Sequence, residues 1–310
     1  MRLLIAEEEH AFYAERIRSA CPDLQLVASA QLESLRVVAG DCDLWLGQPD
    51  LLAPLLRDGT RPQWLQSTWA GITPLLAEGL PRDYRLTRAV GIFGQVMAEY
   101  VLGHMLAHER RLFARLAAQV EQRWDHSLPR SLRGRRVLVV GCGDIGQAVA
   151  EFLQPFGVEL RGVASQAREQ VPFAEVASMD DLPRLTAWAD YMVNLLPDTP
   201  ATRDLYDARL LAQFRPEAVL INAGRGVAVV DADLVTALEQ KQLAAAVIDV
   251  CREEPLPPGH PFWTAPRLLL TGHSSAPTDP ALMGELFIDN LARWQAGQSL
   301  QGEVDFARGY

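Results

Sequence analysis

Apolar residues in the first hundred positions fall into short runs, separated by stretches in which they recur every three or four residues. Leu3–Ala6, Leu24–Ala28, Leu44–Leu46, Gln63–Ser67 and Tyr84–Val90 read as strands, with helices over His10–Ala20, Leu32–Ala39 and Leu51–Arg57 between them. Strands alternating with helices in this way predict a parallel sheet covered on both faces. Gln95–Ala118 predicts one long helix, on which Met97, Val101, Met105, His108, Leu112 and Leu116 mark a buried stripe. A second alternating series then begins. Val137–Val140, Glu159–Val163, Tyr191–Leu195, Val219–Asn222, Ala245–Asp249 and Leu268–Thr271 read as strands, and Ala281–Trp294 as a last helix.

The first strand of the second series runs into Gly141-Cys142-Gly143-Asp144-Ile145-Gly146, and a helical segment, Gln147–Leu153, follows at once. A G-x-G-x-x-G turn between a strand and a helix is the arrangement that receives a dinucleotide pyrophosphate. Gly141 allows the tight turn, Gly143 lets backbone approach the phosphates, and Gly146 lets the helix pack on the strand with its N-terminus facing the ligand. Asp144 and Ile145 belong to the same cofactor-binding turn. The fold class expected is α/β in two domains: a doubly wound Rossmann dinucleotide-binding domain, residues 99–276, inserted into a flavodoxin-like domain formed by 1–98 and 277–310. An acidic residue about 20 positions beyond such a turn usually holds the ribose hydroxyls of NAD. Here Ala164 follows the strand, and it can neither bind a diol nor repel a phosphate. Ser165 and Arg168, just beyond, can meet a 2′-phosphate. The cofactor expected is NADP, or NADP and NAD together, ahead of NAD alone.

Three polar residues lie just past strand ends of this series, where the nicotinamide end of a bound dinucleotide belongs. Arg225 follows Val219–Asn222, Glu254 follows Ala245–Asp249, and His273 follows Leu268–Thr271. An arginine can hold a carboxylate by a bidentate, charge-assisted pair. A histidine is a natural proton donor to a carbonyl under reduction, and a neighbouring carboxylate would orient its ring and raise its pKa.

These features together resemble the D-isomer-specific 2-hydroxyacid dehydrogenase family over nearly the whole chain. The residues that carry the resemblance are the midchain glycine turn, Asn222-Ala223-Gly224-Arg225-Gly226, Asp249-Val250 with Glu254-Pro255-Leu256, and Gly272-His273. Leu195–Arg203 is similar to the family's loop beneath the cofactor, and Ala98–Leu102 to its inter-domain helix. The resemblance implies that Arg225 binds the substrate carboxylate and carbonyl, that His273 is the acid/base, and that Glu254 is its partner. It also implies cofactor contacts from Leu196, Pro197, Thr202, Ala223 and Gly224, and from Asp249 to the nicotinamide amide. Gln66–Ile72 resembles the substrate loop, in which the N–H groups of Ala70 and Gly71 would receive the substrate carboxylate beside Trp69; Trp69 also suits a packed core aromatic.

The pattern is nearest the glyoxylate/hydroxypyruvate reductase branch, which implies reduction of a small 2-oxoacid. Gly47-Gln48-Pro49 stands where such reductases carry a tryptophan, which implies a roomier pocket. A reading from a different class is a dinucleotide-sensing, corepressor-like protein that binds cofactor without turnover. The resemblance and the long helix together imply a homodimer built around Gln95–Ala118 and the segment after it.

Charge narrows the partners. A net charge of −10 argues against nucleic acid. No apolar run approaches the roughly 18 residues that cross a membrane, and Met1–Glu9 is too short and acidic for a signal peptide. Cys21, Cys42, Cys142 and Cys251 lack C-x-x-C spacing and read as free thiols, so a cytoplasmic location is expected. His104 and His108 are four residues apart on a helix but lack the H-E-x-x-H pattern, so no metal is expected.

Overall fold

In the computed structural model, residues 1–307 and Gly309 are described. They divide into two compact units, Met1–Ile92 with Thr278–Tyr310, and Phe93–Pro277. The first unit begins β1 (Arg2–Ala6), α1 (His10–Ala20), β2 (Gln25–Ser29), α2 (Leu32–Val38), β3 (Leu44–Gly47), α3 (Pro49–Arg57), β4 (Trp64–Ser67) and β5 (Arg85–Thr87). The five strands pair in parallel with one another in the order β2-β1-β3-β4-β5, the flavodoxin-like order. Leu3–Ala6, Leu44–Leu46 and Trp64–Ser67 are fully buried, as a sheet covered on both faces requires.

The second unit opens with α4 (Gly94–Glu109) and α5 (Leu112–Val120), then β6 (Arg136–Val140), α6 (Asp144–Leu153), β7 (Glu159–Val163), β8 (Glu175–Ala177), α7 (Leu182–Trp188) and β9 (Tyr191–Asn194). It continues α8 (Ala208–Leu211), β10 (Val219–Asn222), α9 (Asp231–Glu239), β11 (Ala245–Ile248) and β12 (Leu268–Leu270). The seven-stranded parallel sheet has the order β12-β11-β10-β9-β6-β7-β8. Successive side chains along a strand face opposite ways. Val137, Val139, Ile221 and Val247 therefore pack with Met97, Val101, Val149 and Leu153, while Leu138, Val140, Leu220 and Ile248 pack with Leu234 and Leu238. The strand order reverses between β6 and β9, and ligands bind at such a switch point, beyond the carboxyl ends of the strands.

The chain then returns to the first unit through α10 (Pro280–Gln295), which Asp279 caps by accepting the Ala281 N–H at 2.8 Å. Phe287 stacks on Trp64 at 5.2 Å, and the buried Asn290 donates to Gln66 Oε1 at 2.9 Å. These contacts tie the C-terminal helix to β4.

Four expectations need correcting. The stretch 95–118 is two helices, because Arg111 adopts a left-handed φ of 58°. At the end of α4 the Glu109 carboxylate, 1% exposed, takes Arg130 Nε at 3.0 Å, Arg135 Nε at 3.2 Å and the Tyr191 hydroxyl at 2.7 Å. A buried carboxylate needs such partners, and they hold the end of α4 against the segment leading into β6. Leu112 and Leu116 consequently leave the buried stripe and are 53% and 60% exposed. The boundary between units falls at 92/93, so α4 belongs whole to the second unit instead of being cut at 98; Gly94 packs so closely on α6 that a Cβ there would meet Ala148 Cβ at 2.5 Å. The second sheet has seven strands, since the three-residue edge strand β8 is too short to show a period. In the first unit, the strand expected over 84–90 contracts to Arg85–Thr87.

Candidate active site

The glycine turn after β6 is shaped by close approach. Gly141 has φ 108°, and a Cβ on Gly146 would stand 2.1 Å from the Gly141 carbonyl oxygen. At Gly143, by contrast, a Cβ would meet nothing within 4 Å among the described residues, so backbone faces open space at the N-terminus of α6. This combination of a tight turn, an open backbone and a helix end fits a dinucleotide pyrophosphate. Asp144 and Ile145 form the first turn of α6. The loop after β7 folds back over the glycine turn: Arg168 Nη2 donates to the Cys142 carbonyl at 2.7 Å, and Gln170 Nε2 to the same oxygen at 3.1 Å. Ala164 is buried, while Ser165 and Arg168 are exposed at the rim.

The loop after β9 lies against this turn, since a Cβ on Gly141 would touch the Leu195 carbonyl group at 3.0 Å. Within it, Thr202 Oγ1 donates to the Pro197 carbonyl at 2.7 Å and accepts the Thr199 N–H at 2.9 Å, which closes the loop beside Leu196. The loop after β10 is held by two buried asparagines. Asn222 Oδ1 accepts from Asn194 Nδ2 at 2.8 Å and from the Gly224 N–H at 3.3 Å, and Asn222 Nδ2 donates to the Arg225 carbonyl. Ala223 is buried there, and Arg225 Nη1 donates to the Gly224 carbonyl at 2.6 Å. Sequence reasoning missed these asparagines, although each ends an otherwise apolar strand, Tyr191–Asn194 and Val219–Asn222.

Glu254 and His273 come together. His273 Nδ1 lies 2.7 Å from Glu254 Oε2, and Glu254 Oε1 accepts the Cys251 N–H at 2.7 Å. The hydrogen bond to Glu254 raises the His273 pKa, and it outweighs the opposing effects of burial and of the Arg225 charge. Burial pushes the Glu254 pKa up, but the bonds from His273 and Cys251 bring it below its ordinary value. With Nδ1 committed to a carboxylate, Nε2 is the ring atom left for other chemistry.

Asp249, 1% exposed, anchors the same turn. Its Oδ1 accepts from Thr271 Oγ1 at 2.6 Å and the Ser274 N–H at 2.8 Å, and its Oδ2 accepts the Ser275 N–H at 3.1 Å. Its backbone carbonyl takes the His273 N–H at 2.6 Å, and His273 sits at φ 55°. A cleft of about 600 Å³ is lined by Asp249, Glu254, Leu256, Trp263, Leu270 and His273.

In the first unit, the loop after β4 is held from within. Trp69 N–H donates to Ser67 Oγ at 3.1 Å, Ser67 Oγ donates to the Trp69 carbonyl at 3.1 Å, and the Ala89 N–H reaches that carbonyl at 3.2 Å. Trp69, Ala70 and Gly71 are half-buried, so Trp69 is not a core aromatic. His104 and His108 are engaged separately: His104 Nδ1 donates to the Tyr100 carbonyl at 2.8 Å, and His108 Nε2 is 3.1 Å from Arg130 Nη2. Among the described residues no helix is long and apolar enough to cross a membrane.

Residues 102–275 match the profile described as D-isomer specific 2-hydroxyacid dehydrogenase, NAD binding domain. Glyoxylate/hydroxypyruvate reductase A of Serratia proteamaculans is 35% identical over 216 residues, covering 70% of this chain and 69% of that protein. A crystal structure of a D-isomer specific 2-hydroxyacid dehydrogenase family protein from Aeromonas salmonicida superposes with a TM-score of 0.93 at 36% identity, covering 98% of this chain and 99% of that one. An NADPH-dependent glyoxylate/hydroxypyruvate reductase from Sinorhizobium meliloti, solved with NADP and sulfate, gives a TM-score of 0.87 at 26% identity, covering 100% and 99%.

Proposed function

On the premise that this chain belongs to the D-isomer specific 2-hydroxyacid dehydrogenase family, we propose that it reduces glyoxylate or hydroxypyruvate, with His273 as the proton donor. The coarser activity follows from the family: it is an NAD(P)-dependent 2-hydroxyacid dehydrogenase acting on a 2-oxoacid. The observation that carries the role of His273 is its 2.7 Å contact with Glu254, beyond the same sheet edge that bears Arg225; the choice of oxoacid rests on similarity to glyoxylate/hydroxypyruvate reductases. NAD(P)H, when bound, supplies the hydride. Arg225 would pair with the carboxylate and draw electron density toward the carbonyl oxygen. His273, whose charged form the contact with Glu254 favours, would pass the Nε2 proton to that oxygen as negative charge develops on it. In the first unit, the Ala70 and Gly71 N–H groups, beside Trp69, are assigned to substrate binding.

We place the cofactor on the second unit, against Gly141, Gly143, Asp144, Ile145, Gly146, Leu196, Pro197, Thr202, Ala223 and Gly224, with Asp249 near the nicotinamide. NADPH is the preferred form in this reading. The support is Arg168, anchored at the Cys142 carbonyl at the mouth of the glycine turn, with Ser165 beside it and no carboxylate at position 164. Free thiols suit a reducing cytoplasm.

We assign a homodimer to the apolar surface of α5 and the segment after it, where Leu116, Val120, Trp124 and Leu128 are 60%, 79%, 89% and 87% exposed. The segment is held in place, since Arg115 donates to the carbonyls of Asp125 at 3.0 Å and Ser127 at 2.7 Å. A monomer mass by light scattering at micromolar concentration contradicts that assignment. The reading of function is tested by a panel of small 2-oxoacids with NADH and with NADPH. Oxidation of the reduced cofactor with glyoxylate or hydroxypyruvate as the best substrate is expected. Cofactor binding without turnover of any oxoacid would replace the reductase with a dinucleotide sensor.

A further inference from the structure

Two hydroxyls lie behind the His273 turn, outside the set of residues assigned to substrate and cofactor. Thr271 Oγ1 is 2.6 Å from Asp249 Oδ1, and Tyr100 Oη, from α4, is 2.9 Å from Thr271 Oγ1. The proton order along this chain follows from what each group can do. A carboxylate only accepts, so Thr271 gives its single proton to Asp249. Thr271 then has only lone pairs to offer Tyr100, so the tyrosine donates. The result is a directed line, Tyr100 O–H to Thr271 O–H to Asp249.

The far end of the line is the catalytic turn itself. The Asp249 carboxylate holds Thr271, Ser274 and Ser275, and its carbonyl holds His273 N–H, so one buried residue grips the turn on both sides of the histidine. His273 occupies left-handed backbone space, which a residue other than glycine keeps only where its surroundings enforce it. The near end is braced as well, because His104 donates to the Tyr100 carbonyl and its ring lies 4.3 Å from the tyrosine ring.

We propose that Tyr100 and Thr271 are positioning residues for His273: a hydroxyl relay from α4 that locks the Asp249 carboxylate, and through it the turn that keeps His273 against Glu254. The relay rests on the reading of His273 as the proton donor. Neither hydroxyl touches substrate; they act by fixing the ring. The charged groups that act on that ring are Glu254, Arg225 and Asp249. Loosening the turn weakens the contact with Glu254, which is the main influence holding the imidazole pKa up, so the pKa falls toward its ordinary value.

The test is the titration of His273 in the full chain without cofactor, followed by NMR of ¹³C-labelled histidine and assigned with His273→Gln. Tyr100→Phe, Thr271→Val and Thr271→Ser are compared with the parent protein. Thr271→Val removes the donor to Asp249, and its His273 midpoint is expected to drop by about half a pH unit or more. Tyr100→Phe leaves that donor in place and is expected to give a smaller drop. Thr271→Ser keeps the hydroxyl and is expected to restore the parental midpoint. In oxoacid reduction the same order should appear as an earlier alkaline fall in kcat, with little change in cofactor affinity. A parental His273 midpoint in Thr271→Val, with the other histidine signals unmoved, overturns the relay. If that variant does not fold, an unshifted midpoint in Tyr100→Phe does so. Failure of the parent protein to turn over any oxoacid counts against the reductase reading instead, because the titration is read without substrate.

Discussion

The glycine turn after β6 and the histidine turn after β12 lie beyond the same edge of one parallel sheet, yet they are made by opposite means. The first is built by what is missing: Gly141 has φ 108°, and any Cβ on Gly146 would stand 2.1 Å from a backbone oxygen. The second is built by what is present, a buried carboxylate with hydrogen bonds to Thr271, Ser274 and Ser275 and a carbonyl bonded to His273 N–H. One should fail when an atom is added. The other should fail when a hydrogen bond is removed. That difference also separates their chemistry, since a bare backbone can be approached by phosphates, whereas a held imidazole can deliver a proton.

The largest expected effect is at the histidine. His273→Ala should lower kcat for oxoacid reduction by about 10²–10⁴-fold, the usual contribution of a positioned proton donor. Cofactor affinity, read by quenching of protein fluorescence, should stay near that of the parent. Strong loss of cofactor binding in this variant would mean that the two turns are not separate devices.

Gly146→Ala should do the reverse. One added methyl against fixed backbone costs about 1–3 kcal/mol or more, seen as a lower Tm together with weakened cofactor binding. An unchanged Tm would show that the turn is not sterically set.

Glu254→Gln sharpens the electrostatic side. In the proposed mechanism His273 donates in its charged form, and its pKa stands above the ordinary imidazole value because Glu254 accepts its hydrogen bond. Activity in reduction therefore holds below that pKa and falls as pH rises through it. Without the carboxylate charge the fall should come at lower pH; identical kcat–pH profiles would uncouple the pair.

The smallest effect is expected at the rim of the glycine turn. Arg168→Ala should cost about tenfold in kcat/KM with NADPH, the size of one charge-assisted hydrogen bond, and leave NADH almost untouched. Equal losses with both cofactors would assign Arg168 to holding the loop, through its bond to the Cys142 carbonyl, and not to a 2′-phosphate.

How far each turn could be read in advance follows from the same contrast. Steric requirements are local, so Gly141–Gly146 announces itself within six residues of a strand end. The histidine turn depends on partners distant in the chain. Thr271 is 171 positions from Tyr100, and His273 is 19 from Glu254. The strand ends alone marked Arg225, Glu254 and His273, because parallel strands deliver all their carboxyl ends to one edge. Nothing in the spacing indicated that Asp249 would hold the histidine turn from beneath, or that Asn194 and Asn222 would hold the arginine loop.

The alternation of strands and helices, the parallel sheets, and the turn that suits a dinucleotide are all legible along the chain, because periodicity and glycine placement act over a few residues. Tertiary structure alone decided where the long helical stretch ends. Val101 and Leu116 carry the same apolar signal, yet one is buried and the other 60% exposed. Between them Arg111 takes a left-handed φ of 58°, just after the buried Glu109, which the fold surrounds with Arg130, Arg135 and Tyr191. A buried charge is satisfied only by groups the fold brings to it, and no local pattern records which groups those will be.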